Sequence, residues 1–359
     1  MLLRFLLFFI LALTLFLFSL DLMMFSLHQL GGSVIQMLLM ATSNPYTGLF
    51  IGLLLSALFQ SSSATTSMTV ALVASGTLSL SAATPVIMGA NIGTTITSVV
   101  VSLSFIDRKK EFRRAVTAGS YHAFFNILTA VILFPLEYNF HFLSGLSHFV
   151  AVHFFNEPTV GTAVENFSLL DSWTGISVQI ISEVIGNPYL LFGIAIFLLL
   201  SSILFFRKII SHTMGVEPQG KINNIFSSQY KSFVWGTFIT AIIRSSTVTT
   251  SLVVPLAAKK IIKLRQSCAF ILGANVGTTV TAFIVSTFNS NAAIGIAIAH
   301  FLFNIIGVLL FFQTPYLKEI PYRLAAGLSQ LTLRHRIAGF LFLLFTFFLI
   351  PFSLIYLSR

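Results

Sequence analysis

The hydroxyl-rich string Gln60-Ser61-Ser62-Ser63-Ala64-Thr65-Thr66 recurs 184 positions later as Arg244-Ser245-Ser246-Thr247-Val248-Thr249-Thr250. A second string, Gly89-Ala90-Asn91-Ile92-Gly93-Thr94-Thr95-Ile96-Thr97, returns as Gly273-Ala274-Asn275-Val276-Gly277-Thr278-Thr279-Val280-Thr281 at the same offset. Two matches in one register imply that everything between them was duplicated as a unit. The chain must therefore fold as two related halves.

The solvent for those halves follows from how few charges there are. Of 359 residues 56% are hydrophobic and 8% charged, with 39 Phe, too little charge to coat a water-soluble surface. The chain belongs in a lipid bilayer. A net charge of +10 would suggest a nucleic-acid partner in a soluble protein. Here all the Lys and Arg but Arg244 lie near the ends of apolar segments or in loops, and they read as topology anchors, with no nucleic acid implied. The single cysteine, Cys268, excludes an intrachain disulfide and supplies no metal cluster. No span holds a His beside a carboxylate, so the chain does not read as an enzyme, and it needs no cofactor.

A crossing helix needs about 20 apolar residues. Segments 2–22, 85–106, 114–136, 188–206, 267–288, 292–312 and 337–357 meet that requirement, giving seven or eight spans. Lys and Arg collect on the cytoplasmic side, which puts the basic run 107–114 inside. From 138 to 184 there is no Lys or Arg but four acidic residues, which puts that connection outside. The link 75–84 is uncharged while its counterpart 259–268 holds Lys259, Lys260, Lys263 and Arg265, so equivalent loops face opposite sides. Matched halves with opposed orientation make inverted repeats, the plan of many secondary transporters. The expected layout is repeat 1 at 1–136, an external connection at 137–187, repeat 2 at 188–312, and an interfacial segment with the last span at 313–359. The N-terminus is expected in the cytoplasm.

The stretches 46–76 and 231–256 are too short to cross twice, and each is interrupted by its hydroxyl cluster. They read as re-entrant helical hairpins whose tips mark a polar site, since broken backbone at membrane depth survives only against protein or a wet cavity. The hydroxyls, with helix N-termini starting just after them, suit a phosphate or sulfate oxyanion. The Gly-rich strings predict unwound segments at 89–95 and 273–279, whose carbonyls would ligate Na⁺ together with Asn91 and Asn275. Close helix packing through small residues is the competing reading. His122 with Asn126, and His300 with Asn304, are i, i+4 pairs suited to hydrogen bonding between helices. Arg244 stands in Gln60's place, where a charge within the membrane is functional by default. Its guanidinium either clamps the anion or replaces a sodium ion as a tethered cation.

Gln60 to Ser63, the string Met88-Gly89-Ala90-Asn91-Ile92-Gly93-Thr94-Thr95, the basic run 107–114, His122-Ala123-Phe124-Phe125-Asn126 and their second-half partners resemble the type II sodium-dependent phosphate cotransporters and their bacterial relatives. The resemblance covers nearly the whole chain. It implies an all-α polytopic transporter of the bacterial inner membrane that imports inorganic phosphate with Na⁺ as coupling ion, by alternating access between two inverted repeats. A homodimer is compatible with this plan. Ser61, Ser62, Ser63, Arg244, Ser245, Ser246 and Thr247 would surround phosphate. Gln60, Ser62, Asn91, Thr94, Asn275 and Thr278 would hold Na⁺, supported by Thr65, Thr66, Thr249 and Thr250. The second cluster departs from the family's Gln-Ser-Ser-Ser at Arg244 and Thr247. That departure opens a second reading, a sodium-independent exporter or facilitator of phosphate or a related oxyanion.

Overall fold

The computed structural model describes residues 44–74, 78–155, 225–286 and 291–357, with parts of 7–29 and 177–205. Among these residues the chain is helical throughout. The expected spans 2–22 and 188–206, and most of the connection 137–187, lie outside the continuously described residues. Two compact units form, one from Met1–Gln36 with Glu165–Asn224, the other from Met37–Val164 with Ile225–Arg359. In the first, the Phe8 and Phe205 rings meet edge-on at 6.2 Å. All the candidate site residues belong to the second.

That unit opens with α1 (Pro45–Phe59) and α2 (Ser62–Ala74). Asn44 starts α1 by accepting the Tyr46 N–H at 2.9 Å, with Pro45 at the first helical position, where no N–H is missed. Gln60 ends it in the left-handed region, at φ 51°. Next come α3 (Leu80–Gly93), α4 (Ile96–Leu103), the 32-residue α5 (Lys109–Phe140) and α6 (Phe142–Phe154). The second half repeats the opening with α7 (Gln229–Ile243), ended by Arg244 at φ 60°, and α8 (Ser246–Ala258). It continues with α9 (Leu264–Ser286) and α10 (Asn291–Val308), which runs on as a π-helical turn, Leu309–Gln313. The chain closes with α11 (Glu319–Arg334) and α12, Ile337–Leu357.

Among the described residues, four helices are long and apolar enough to cross a membrane: Leu80–Leu103, Lys109–Phe140, Ala293–Gln313 and Ile337–Leu357. They account for the spans expected at 85–106, 114–136, 292–312 and 337–357, while the 23-residue α9 follows the one expected at 267–288. Burial separates them. The most apolar stretch of Leu80–Leu103 is 89% buried within the protein and that of Ile337–Leu357 only 17%, so the last helix presents Phe340, Phe345, Ile350 and Phe352 outward.

The Gly strings do not unwind, which corrects the expectation for 89–95 and 273–279. Gly89–Gly93 lies inside α3, Thr94 and Thr95 stay right-handed in a merely tightened turn, and 273–279 lies within the continuous α9. The glycines serve close approach instead. A Cβ on Gly89 would fall 1.8 Å from the Leu49 carbonyl oxygen, and one on Gly273 would fall 2.0 Å from that of Phe233. Gly93 and Gly277 repeat this against Leu53 and Thr237, at 2.2 and 2.3 Å. Helices α1 and α3, like α7 and α9, therefore touch backbone to backbone, the packing that small residues permit where lipid supplies no hydrophobic drive. Leu49, Leu53, Met88 and Ile92 then form one apolar cluster with Ala123 and Leu133 of α5, Phe303 of α10 and Phe347 of α12.

Candidate functional site

The two hydroxyl clusters form matching turns. Gln60 and Arg244 both adopt the left-handed conformation, which costs a non-glycine residue energy and needs support from its surroundings. That support comes from the next residue, whose hydroxyl caps the following helix. Ser61 Oγ accepts the Ala64 N–H at 3.1 Å and Ser245 Oγ accepts the Val248 N–H at 3.4 Å. Thr65 and Thr249 each donate a side-chain hydrogen bond back to the carbonyl of that same serine. Both caps leave serine O–H donors available and aim helix N-termini, with unpaired N–H groups and a positive dipole end, at the turns.

The tips meet. Thr247 Oγ1 donates to the Gln60 carbonyl at 2.8 Å and lies 3.3 Å from Thr94 Oγ1. Each tip is also tied to the end of its Gly string. Thr97 Oγ1 donates to Gln60 Oε1 at 3.0 Å, and Thr281 Oγ1 reaches the Arg244 carbonyl at 3.4 Å. Ser62, Ser246 and Thr247 are buried, while Gln60, Ser61, Ser63, Arg244 and Ser245 are half-buried. Thr66 Oγ1 and Thr278 Oγ1 are buried without a hydrogen-bond partner, and Thr250 bonds only within its own helix. Thr97 and Thr281 were not singled out from sequence, although each closes a repeated string at the 184 offset.

Behind the tips, the His and Asn pairs join one half to the other. His300 Nε2 lies 3.1 Å from Asn91 Oδ1, and Asn304 Nδ2 donates to the same oxygen at 3.3 Å. In the mirror set His122 Nε2 lies 2.6 Å from Asn275 Oδ1, and Asn275 Nδ2 donates to Asn126 Oδ1 at 3.1 Å. An amide oxygen only accepts, so each imidazole donates from Nε2. All six side chains are buried. Asn91 and Asn275, expected as ion ligands, thus serve here as inter-half links, with both acceptor positions of the Asn91 oxygen occupied.

One buried carboxylate escaped the sequence reading. Glu137, 2% exposed near the end of α5, accepts the Leu143 and Ser144 N–H groups at 2.7 and 3.0 Å and so caps α6 across the left-handed His141. It makes a structural joint away from the tips. Its signal in sequence was only its place a few residues before a second apolar helix.

With this geometry in place, comparison with known proteins gives a consistent answer. Residues 15–152 and 198–345 match the family described as Na⁺/Pi-cotransporter, in two parts that follow the two halves. The human sodium-dependent phosphate transport protein 2B is 29% identical over 88% of this chain and 59% of its own length. The rat sodium-dependent phosphate transport protein 2A is 28% identical over 86% of this chain and 60% of its own, and the mouse 2A protein 29% over the same shares. This chain therefore spans about three-fifths of the length of the curated relatives it matches. No solved structure matches it. The matched part extends over most of the chain, including both tips and both His-Asn pairs, and the chain belongs to the Na⁺/Pi-cotransporter family, a family of membrane transporters rather than enzymes.

Proposed function

We propose that this protein imports inorganic phosphate by sodium symport, with phosphate held between the two tips. The carrying observation is the Thr247 to Gln60 contact at 2.8 Å, which joins two turns of equivalent build from opposite halves. Ser61, Ser62, Ser63, Ser245, Ser246 and Thr247 supply hydroxyls, the N-termini of α2 and α8 supply N–H groups, and Arg244 supplies a guanidinium able to take two phosphate oxygens. The arms favour re-entrance. Helices α1 and α2 have 15 and 13 residues, about 20 Å each at 1.5 Å per residue, against a hydrocarbon core of roughly 30 Å. Arms of that length stop short of the far side if they enter from one face, which supports tips at depth.

The family and the printed names of its relatives favour Na⁺ as the coupling ion, with no other cofactor. Gln60, Ser62, Thr94 and Thr278 offer neutral oxygens for it, and the unpartnered hydroxyl of Thr278 suits that role. Asn91 and Asn275 join them only by releasing His300 and His122, so ion binding and inter-half bonding compete. That competition is a means of coupling ion entry to alternating access in an inverted repeat. The basic run 107–114 and Lys259 to Arg265 support a cytoplasmic edge near the starts of α5 and α9, in the inner membrane.

Uptake of ³²P-phosphate into proteoliposomes tests this reading. A sodium gradient should drive accumulation above equilibrium. Phosphate equilibration that ignores Na⁺ would instead favour a sodium-independent exporter or facilitator, a second reading kept because Arg244 occupies the mirror position of Gln60 and carries the charge a sodium ion would bring.

A further inference from the structure

Where the basic residues gather, the start of α5 from one half grips the end of α8 from the other. Arg114 Nε donates to the Ala257 carbonyl at 2.7 Å, and a terminal nitrogen of the same guanidinium donates to the Ile262 carbonyl at 3.0 Å. Ala257 lies in the last turn of α8 and Ile262 in the short connection to α9. The half-buried Arg114 therefore satisfies carbonyls that a helix end leaves unpaired. Beside it, Lys259 Nζ donates to Glu111 Oε1 at 3.2 Å, an oxygen that Arg108 also bonds. The α5 side of this grip is braced, because Ser329 Oγ of α11 donates to the Arg113 carbonyl at 2.8 Å. The α8 side is weakened just before it. Pro255, inside α8, offers no N–H to the Ser251 carbonyl, where the equivalent residue of α2 is Ala71.

The equivalent seam between α2 and α10 is closed differently. The step of 178 positions from His122 to His300 relates α5 to α10 and puts Ala292 in the place of Arg114, while the 184 offset puts Val73 and Leu78 in the places of Ala257 and Ile262. There Val73 and Leu78 pack with Ala293 and Ile296 of α10 in one apolar cluster. We infer that Arg114 is a positioning residue for alternating access, which holds the seam between α5 and α8 shut and opens it by releasing the Ala257 and Ile262 carbonyls. The inference rests on the transport reading above. Two bonds from one charged, rigid fork are stronger than neutral bonds and tied to one side-chain position, so they favour two discrete states, held and released. Removing a group that stabilises only the held state shifts the population toward the released one.

The test reads the seam without reading uptake. In the full chain in detergent, with Cys268→Ala, a lone Ser251→Cys reports this seam by its rate of reaction with a water-soluble thiol reagent. Ser251 is 7% exposed and lies on α8 between the tip and the grip. Its counterpart at the 184 offset, Ser67→Cys on α2, reports the apolar seam. Arg114→Met, which keeps the length and loses the donors, should speed reaction at Ser251→Cys about tenfold and leave Ser67→Cys unchanged. Arg114→Lys, which keeps the charge and loses the second bond, should give a smaller acceleration at Ser251→Cys, and the same criterion applies to it if the Met variant does not fold. An unchanged rate at Ser251→Cys, or equal acceleration at both positions, would overturn the assignment of Arg114. Neither result bears on the transport reading, which fails only if the unaltered chain moves no phosphate.

Discussion

The two tips share a backbone and differ in what they hold. At the first, Thr97 pins the Gln60 side chain through its Oε1. At the second, the equivalent Thr281 reaches only the Arg244 main chain, so the guanidinium is not fixed by the bond that fixes the amide. The helices behind them differ in the same sense. The first Gly string ends in a tightened turn at Thr94 and Thr95, while the second runs unbroken through α9. Duplication preserved the glycine contacts, the serine caps and the threonine ties, while the tip residue and the run of the helix behind it diverged. The outcome is a guanidinium at one tip and a neutral amide at the equivalent place of the other.

The scaffold claim predicts the largest effects. Gly89→Ala and Gly273→Ala should each lower the thermal midpoint of the detergent-solubilised protein and reduce phosphate uptake to background. A Cβ there meets backbone that cannot rotate away, and overpacking of this kind costs about 1–3 kcal/mol or more. A large loss at one position and tolerance at the other would break the symmetry. Next in size is Thr247→Val, which removes the tip-to-tip donor to the half-buried Gln60 carbonyl, a loss of about 1 kcal/mol. Phosphate uptake should fall at least tenfold with little change in expression.

Arg244→Gln sharpens the comparison most, because it makes both tips alike. If the guanidinium is a tethered cation, uptake by the variant should depend more steeply on Na⁺. If it clamps the anion, the half-saturating phosphate concentration should rise several-fold at every sodium level. A smaller effect is expected behind the tips. A double-mutant cycle on Asn91→Ala and His300→Ala should give a coupling of about 0.6 kcal/mol, typical of hydrogen bonds between membrane helices. The smallest concerns the α9 to α11 contact. Arg265 holds the Glu319 carboxyl below its ordinary value, so this pair stabilises the fold above the ordinary carboxylate range and the contribution is lost as pH falls through the depressed value. Glu319→Gln should remove that acid sensitivity at a cost below about 1 kcal/mol near neutral pH, measurable as the change in thermal midpoint between pH 7 and pH 4.

The turns were legible in sequence because a hydroxyl cluster at a fixed offset carries its capping chemistry with it. Ser61 and Ser245 cap helices for the reason any serine does when it precedes an apolar helical run. The partners of the His-Asn pairs were not legible. The i, i+4 spacing shows that His300 and Asn304 share a face, but pairing them with Asn91 requires knowing which helix of the other half lies opposite. Unwinding was inferred at the Gly strings because a glycine that breaks a helix and one that lets another backbone approach look identical in sequence. Glu137 was missed for a related reason. A carboxylate near the end of a span reads as an interfacial charge until the turn at His141 brings the next helix onto it.

Cross-linking the tips is the sharpest test of their union in one phosphate site. In a Cys268→Ala background, Gln60→Cys with Thr247→Cys should be bridged within one chain by a short bifunctional thiol reagent, and phosphate should slow the bridging. A pair that resists bridging although both thiols react singly, or one bridged at a rate that phosphate leaves unchanged, would contradict a shared site at the meeting of the two halves.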